Sequence, residues 1–166
     1  MMKRISYFVL LCLGITALAG CEKECDCAGT GEFEYMVFGH FYGECGGEGC
    51  VEIYKVTEVA LYEDSTDVYP GSLNPYAGVY TLLSDEKFQL VKDIIYQFPE
   101  ALYGEPNNVI GMPDAGDWGG IYVEMKYSNE EALSGFWLLD QMEGNMPQVY
   151  NDFVDKINEK IALINQ

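Results

Sequence analysis

The run His40-Phe41-Tyr42-Gly43-Glu44-Cys45-Gly46-Gly47-Glu48-Gly49-Cys50 gathers the densest set of reactive side chains in the chain. Imidazole and thiolate suit zinc or copper, which makes His40, Cys45 and Cys50 candidate ligands. Their spacing matches no common zinc motif, and no fourth ligand stands nearby in sequence. The same types could form a thiol nucleophile and its base. His40 is the only histidine in 166 residues, so every histidine-dependent mechanism rests on that one side chain. No orienting group or cleft can be assigned to it. Oxidation would silence both chemistries, and the favoured reading is a Cys45–Cys50 disulfide closing a small glycine-rich loop.

Other carboxylates and aromatics suggest less. Asp114-Ala115-Gly116-Asp117 offers hard oxygen ligands and a flexible glycine, as calcium requires. Two carboxylates are too few, and a turn leading into a strand accounts for the same residues. Glu63-Asp64 and Glu130-Glu131 read as solvated loop charges rather than a glycosidase pair. Trp118, between Asp117 and Gly119, is a candidate for an exposed contact, whereas Trp137, within Phe136-Trp137-Leu138-Leu139, reads as core. No catalytic constellation emerges, so the expectation is a non-enzyme with no cofactor.

The N-terminus carries the clearest signal. Lys3 and Arg4 precede an apolar run from Ile5 to Leu18, which ends in Leu18-Ala19-Gly20-Cys21. A basic start, a short apolar segment and small residues before the cut mark an export signal. The run is short for a bilayer span of about 20 residues. Leu-Ala-Gly-Cys resembles the lipobox of bacterial prolipoproteins. That resemblance implies cleavage before Cys21 and acylation of its thiol and new amine. Glu22-Lys23-Glu24-Cys25-Asp26 resembles the acidic surface-export signal of Bacteroidetes lipoproteins. The expected organisation is a signal peptide over residues 1–20, a lipidated tether over 21–32, and one domain over 33–166. The same acidic stretch also reads as an ordinary polar tether, so the expected location is the cell envelope, at the outer membrane with the lipid as the membrane contact, and the sequence leaves open a periplasmic or a surface orientation.

Nine basic and 27 acidic residues give a formal charge of −18, and removal of Lys3 and Arg4 makes it more negative still. Such a field repels phosphate backbones and excludes nucleic acid as a partner. At 49% hydrophobic and 14% aromatic, the chain has the material for a core. Cys12 leaves with the signal and Cys21 carries lipid, so Cys25, Cys27, Cys45 and Cys50 remain as disulfide candidates in an oxidising compartment. Four cysteines allow three pairings, with Cys45–Cys50 preferred.

Strands are expected over Glu34–Tyr42, Val51–Leu61, Trp118–Tyr127 and Ala132–Leu139, from their aromatic and β-branched content. The first two should form a hairpin across the glycines of Gly43–Gly49, and Ser128–Glu131 should turn between the last two. Ile121, Val123 and Met125 should face one side of the third strand, with Tyr122, Glu124 and Lys126 on the other. Glu63–Gly78 and Gly104–Gly116 read as loops. Ser84 should cap a helix whose stripe is Phe88, Val91, Ile94, Ile95 and Phe98, ended by Pro99. Asn145 should cap a last helix with Pro147 in its first turn and Tyr150, Phe153, Val154, Ile157, Ile161 and Ile164 as its stripe. The predicted class is α+β: an antiparallel sheet of about four strands, two helices packed on one face, and many tyrosines on the other.

From about Leu83 onward the order of elements is similar to emfourin-like inhibitors of thermolysin-type metallopeptidases. The residues that carry the similarity are Ser84-Asp85, Pro113-Asp114, Ile121–Lys126 and Met146-Pro147, with Gly46-Gly47 in place of the family's N-terminal Gly-Gly hairpin. It implies a loop that faces a peptidase. This chain departs from the family in Cys45 and Cys50 around the glycines, a longer loop over Glu63–Gly78, and the added lipobox. The expected function is a lipid-anchored binding module with a protein partner, a peptidase in the sharpest version, contacted through Phe41, Tyr42, Gly46, Gly47 and Trp118. The rival readings are a glycan-binding or surface-assembly accessory using tyrosines and Trp118, and a metal-handling lipoprotein using His40, Cys45 and Cys50.

Overall fold

The computed structural model describes residues 32–128 and 134–166. Cys21, Cys25 and Cys27 lie outside them, as do residues 129–131 of the turn expected over Ser128–Glu131 and the first two residues of the strand expected from Ala132. The fold is α+β with two helices and a single sheet. The sheet has seven strands rather than about four, and it is mixed. The strands are β1 (Phe33–Phe41), β2 (Val51–Val56), β3 (Leu61–Asp64), β4 (Tyr80–Leu82), β5 (Val109–Ile110), β6 (Gly120–Tyr127) and β7 (Gly135–Asp140), in the order β4-β3-β2-β1-β6-β7-β5. Every pairing is antiparallel except that of β5 with β7. The expected hairpin of the first two strands is present as β1 and β2, with Phe41 opposite Val51.

Three differences from the sequence reading account for the extra strands. The segment Val51–Leu61 is two strands, because Thr57 breaks it. The Thr57 hydroxyl accepts the N–H groups of Val59 and Ala60, and Thr57 N–H donates to Ala60 O at 2.9 Å. A threonine that satisfies the backbone locally competes with the ladder and turns the chain. β4 follows the loop expected over Glu63–Gly78, and β5 lies inside the loop expected over Gly104–Gly116. Each is two or three residues long and is a strand only because a neighbouring strand supplies the ladder. Trp118 also falls outside its expected strand, since β6 begins at Gly120 after Gly119 at φ 76.

The helices are α1 (Asp85–Val91) and α2 (Gln148–Ile164). Ser84 caps α1, accepting the Lys87 N–H. The chain then tightens into a 3-10 turn over Lys92–Gln97 before Pro99. Asn145 does not cap α2. Pro147 occupies that position with no side-chain bond, and the Asn145 amide donates instead to Asp140 at 2.9 Å. All six residues expected on the α2 stripe are buried. They pack with Phe88, Val91 and Ile94, and with Met36, Phe38, Tyr54, Val56, Ile121, Val123 and Met125 from one face of the sheet. Lys160 locks the two helical segments, donating to Asp93 at 2.7 Å and to Leu90 O at 3.1 Å.

The opposite face is also closed. Val37, Phe41, Val51, Ile53, Tyr122 and Leu138 form a second cluster, packed by Tyr35, Tyr76, Tyr80 and Phe136. Its cover comes partly from residues 65–79, a strap between β3 and β4 that has no regular structure of its own. No helix among the described residues is long and apolar enough to cross a membrane.

Candidate binding end of the sheet

The strand directions place four connections at one end of the sheet. β1 ends at Phe41, opposite the starts of β2 and β6. β7 ends at Asp140, opposite Gly120, and β5 ends beside it. β3 ends and β4 begins with Asp64 opposite Tyr80. Residues 42–50, 65–79, 111–119 and 141–147 therefore emerge together.

Three carboxylates tie these loops to the sheet. Asp114 sits in the left-handed region at φ 61, which aspartate tolerates better than most residues. Its Oδ2 accepts Gly43 N–H at 2.9 Å and Tyr69 O–H at 2.9 Å, and its Oδ1 accepts Gly119 N–H at 3.1 Å. One side chain thus joins the β1–β2 loop, the strap and the loop before β6. Burial, and then the bond to Asp114, push the Tyr69 phenol up to about 12, so it remains a neutral donor. Asp140 is 2% exposed and accepts from Met112 N–H, Met142 N–H and the Asn145 amide. Burial would raise its carboxyl, but these bonds outweigh burial and hold it below its usual range. Asp64, 4% exposed, accepts Thr66 N–H, Thr66 O–H, Asp67 N–H, Tyr76 O–H and Val79 N–H, which fastens both ends of the strap.

Cys45 and Cys50 form a disulfide with Cα atoms 5.6 Å apart. Tyr42 N–H to Cys50 O at 2.8 Å closes the base of the loop, and Cys50 N–H to Gly47 O at 3.1 Å forms its inner turn. Gly47 has φ 124, which only glycine adopts without strain, whereas a Cβ on Gly46 or Gly49 would meet open space. His40 Nε2 lies 3.2 Å from Glu52 Oε2 and 3.3 Å from Gly49 O. With both sulfurs bonded to each other, neither is a thiolate ligand or a nucleophile. Among the described residues there is no group of three or more His, Cys, Asp or Glu able to hold a metal ion. Asp114, weighed for calcium in the sequence, spends its oxygens on protein donors.

The expected contact residues separate on this frame. Phe41 is 0% exposed and packs edge-on against Tyr69, with ring centroids 5.0 Å apart. It is a core residue and is removed from the contact set, because position 41 points to the strap face at the last pair of β1. Tyr42 is half-buried, its ring lying against Gly119 and 5.2 Å from the ring of His40. Gly46 and Gly47 are exposed. Trp118 is 63% exposed, whereas Trp137 is 5% exposed in the helix-side core. The structure adds Met112, 62% exposed, with Met142, Tyr69 and Val68, none of which the sequence singles out. A methionine in a loop carries no periodicity to read, and the structure shows the Met112 N–H held by Asp140 with its side chain exposed.

Removing the disulfide by Cys45→Ser with Cys50→Ser should loosen this loop and leave the fold intact. The β1–β2 ladder and the Gly43–Asp114 bond do not depend on it. The expected cost is about 2 kcal/mol, from the loop entropy returned to the unfolded chain, read as a lower thermal midpoint with unchanged far-UV circular dichroism. Collapse of the β-sheet signal would contradict this.

Comparison with protein families, curated proteins and solved structures finds no match.

Proposed function

We propose that this chain is a lipid-anchored, non-enzymatic binding module of the cell envelope. Its partner is a protein, and it engages that partner with the end of the sheet that carries Trp118. The observation that carries this reading is the 63% exposure of Trp118 on a braced surface: Asp114 links its loop to the β1–β2 loop and the strap, and the Cys45–Cys50 disulfide constrains the adjacent turn. Tryptophan is enriched among interface hot spots, and one held on a rigid frame loses little entropy when it docks. Met112 and Met142 add adaptable, exposed apolar area at the same end of the sheet. The similarity of element order to emfourin-like inhibitors, with Gly46 and Gly47 in the braced loop, favours a metallopeptidase as the partner. The lipobox supports the anchor and the location.

The test is capture of envelope and secreted proteins on the immobilised chain, followed by titration of any captured peptidase. Trp118→Ala should weaken binding by at least about 2 kcal/mol, roughly 30-fold, with the melting temperature unchanged because the ring is exposed. Gly46→Phe, which enters open space, should block docking without unfolding the loop. If both variants bind as wild type, this end of the sheet is not the interface. Tryptophan quenching by oligosaccharides, with no protein captured, would transfer the site to glycans.

A further inference from the structure

The four connections at the Trp118 end share one property that their separation in sequence conceals. Residues 42–50, 65–79, 111–119 and 141–147 contain no lysine and no arginine. They do contain exposed acids, including Glu44, Asp117 and Glu143. The lysines of the described residues are at 55, 87, 92, 126, 156 and 160, on β2, β6, the helices and the 3-10 turn that follows α1. The strand directions thus bring loops far apart in the chain to one end of the sheet, whose exposed charges are all acidic and on which Met112, Trp118 and Met142 are exposed.

We infer that the partner docked at this end presents a basic surface, with lysine or arginine side chains flanking an apolar contact. This inference rests on the protein-binding reading above and names the partner's chemistry. The apolar side chains supply the contact, and the field around them selects what approaches. A like-charged or phosphate-bearing partner is repelled at long range, while a cationic one is steered toward the Trp118 loop and associates faster. The exposed acids remain hydrated at the rim, so they govern association rate and salt dependence more than the lifetime of the complex. Asp64, Asp114 and Asp140 are committed to internal donors and belong to the frame.

Two families of variants separate local from global charge. The tip set is Glu44→Gln, Asp117→Asn and Glu143→Gln. Asparagine is chosen at 117 because that residue has φ 65. The remote set, Glu58→Gln, Glu100→Gln and Asp155→Asn, removes the same number of charges from other exposed positions. The full chain, purified in a neutral detergent, is titrated with an amphipathic peptide of lysine, arginine and leucine. A control peptide carries glutamate in place of the basic residues. Methyl and indole NMR signals report where each binds. The expected result is that the basic peptide shifts the Trp118 indole and the Met112 and Met142 methyls. Its affinity should fall about tenfold or more between 50 and 500 mM salt as the Debye length shortens, and several-fold in the tip set but not in the remote set. Equal effects of the two sets, binding without shifts at these three residues, or equal binding of the acidic peptide would overturn the inference. The underlying reading fails separately. If a captured partner is lost on Trp118→Ala but its association rate is flat in salt and unchanged in the tip set, the interface holds and the basic partner does not. If Trp118→Ala captures as wild type, the interface itself is wrong.

Discussion

Asp64→Ala is expected to destabilise the fold by about 3–5 kcal/mol, because it removes the acceptor for five donors at once and leaves several of them without a partner. The carboxylate holds both ends of the strap, through Thr66 and Asp67 at one end and Tyr76 and Val79 at the other; the Val79 N–H bond is 2.6 Å. Without it the strap peels from the cluster of Val37, Phe41, Ile53 and Tyr122, and Tyr76 N–H loses its place on the Tyr122 hydroxyl. The helix-side core is built from other residues. Amide exchange should therefore rise first in residues 65–79 and last in α2. Urea melts give the magnitude, and a loss under 1 kcal/mol would show that the strap is held by packing alone.

The same carboxylate predicts a pH dependence. Burial alone would raise the Asp64 carboxyl, but the bonds from Tyr76, Thr66 and Val79 outweigh burial and hold it below its ordinary value of 3.8. A group whose folded value is depressed stabilises the fold fully above the unfolded value and loses that contribution as pH falls through the folded one. The wild type should thus lose stability below about pH 4, the ordinary carboxylate range. Asp64→Asn should start lower and show a shallower acid limb. Asp140, held down in the same way, contributes in the same direction, so the limb flattens without vanishing. An acid limb unaltered in Asp64→Asn would contradict this account.

Gly39→Ala should be the most damaging single-methyl change in the sheet, at about 3 kcal/mol or more. Its added Cβ would run into the Glu52 carbonyl and stand 2.7 Å from the Ile53 Cα. Both are backbone of the paired strand, with Gly39 opposite Ile53 on one side and Tyr122 on the other. A side-chain neighbour can rotate away, whereas a neighbouring strand can yield only by opening the ladder, so the cost exceeds that of ordinary overpacking. Gly49→Ala is the control: a Cβ there meets nothing within 4 Å, and its melting temperature should stay within error of wild type. Equal stability of the two variants would mean that β1 and β2 separate freely at this point.

What could be read from the sequence alone had a local cause. Ser84 before Asp85-Glu86 caps α1 because one hydroxyl and one N–H suffice. The α2 stripe is legible because 3.6-residue periodicity repeats through seventeen residues. Alternation from Ile121 onward separates Ile121, Val123 and Met125 in the helix-side core from Tyr122 and its partner Glu124 on the other face. The Cys45–Cys50 pair, preferred among three possible pairings for its short glycine-rich loop, is the one the structure forms. What only the tertiary structure decided has causes distant in sequence. β5 has two residues and no pattern of its own; it exists because β7 lies parallel to it. Phe41 reads like the other aromatics near the loop, yet the strap and Tyr69 bury it. Asp114 reads as a turn residue, but Gly43 and Tyr69, 71 and 45 positions away, make it the brace of the candidate site. The gathering of four loops free of basic residues at one end of the sheet is likewise set by strand direction and order, which no single window of the chain contains. Caps, periodicity and short loops are decided by neighbours along the chain, whereas burial and the surroundings of a site are decided by which segments meet.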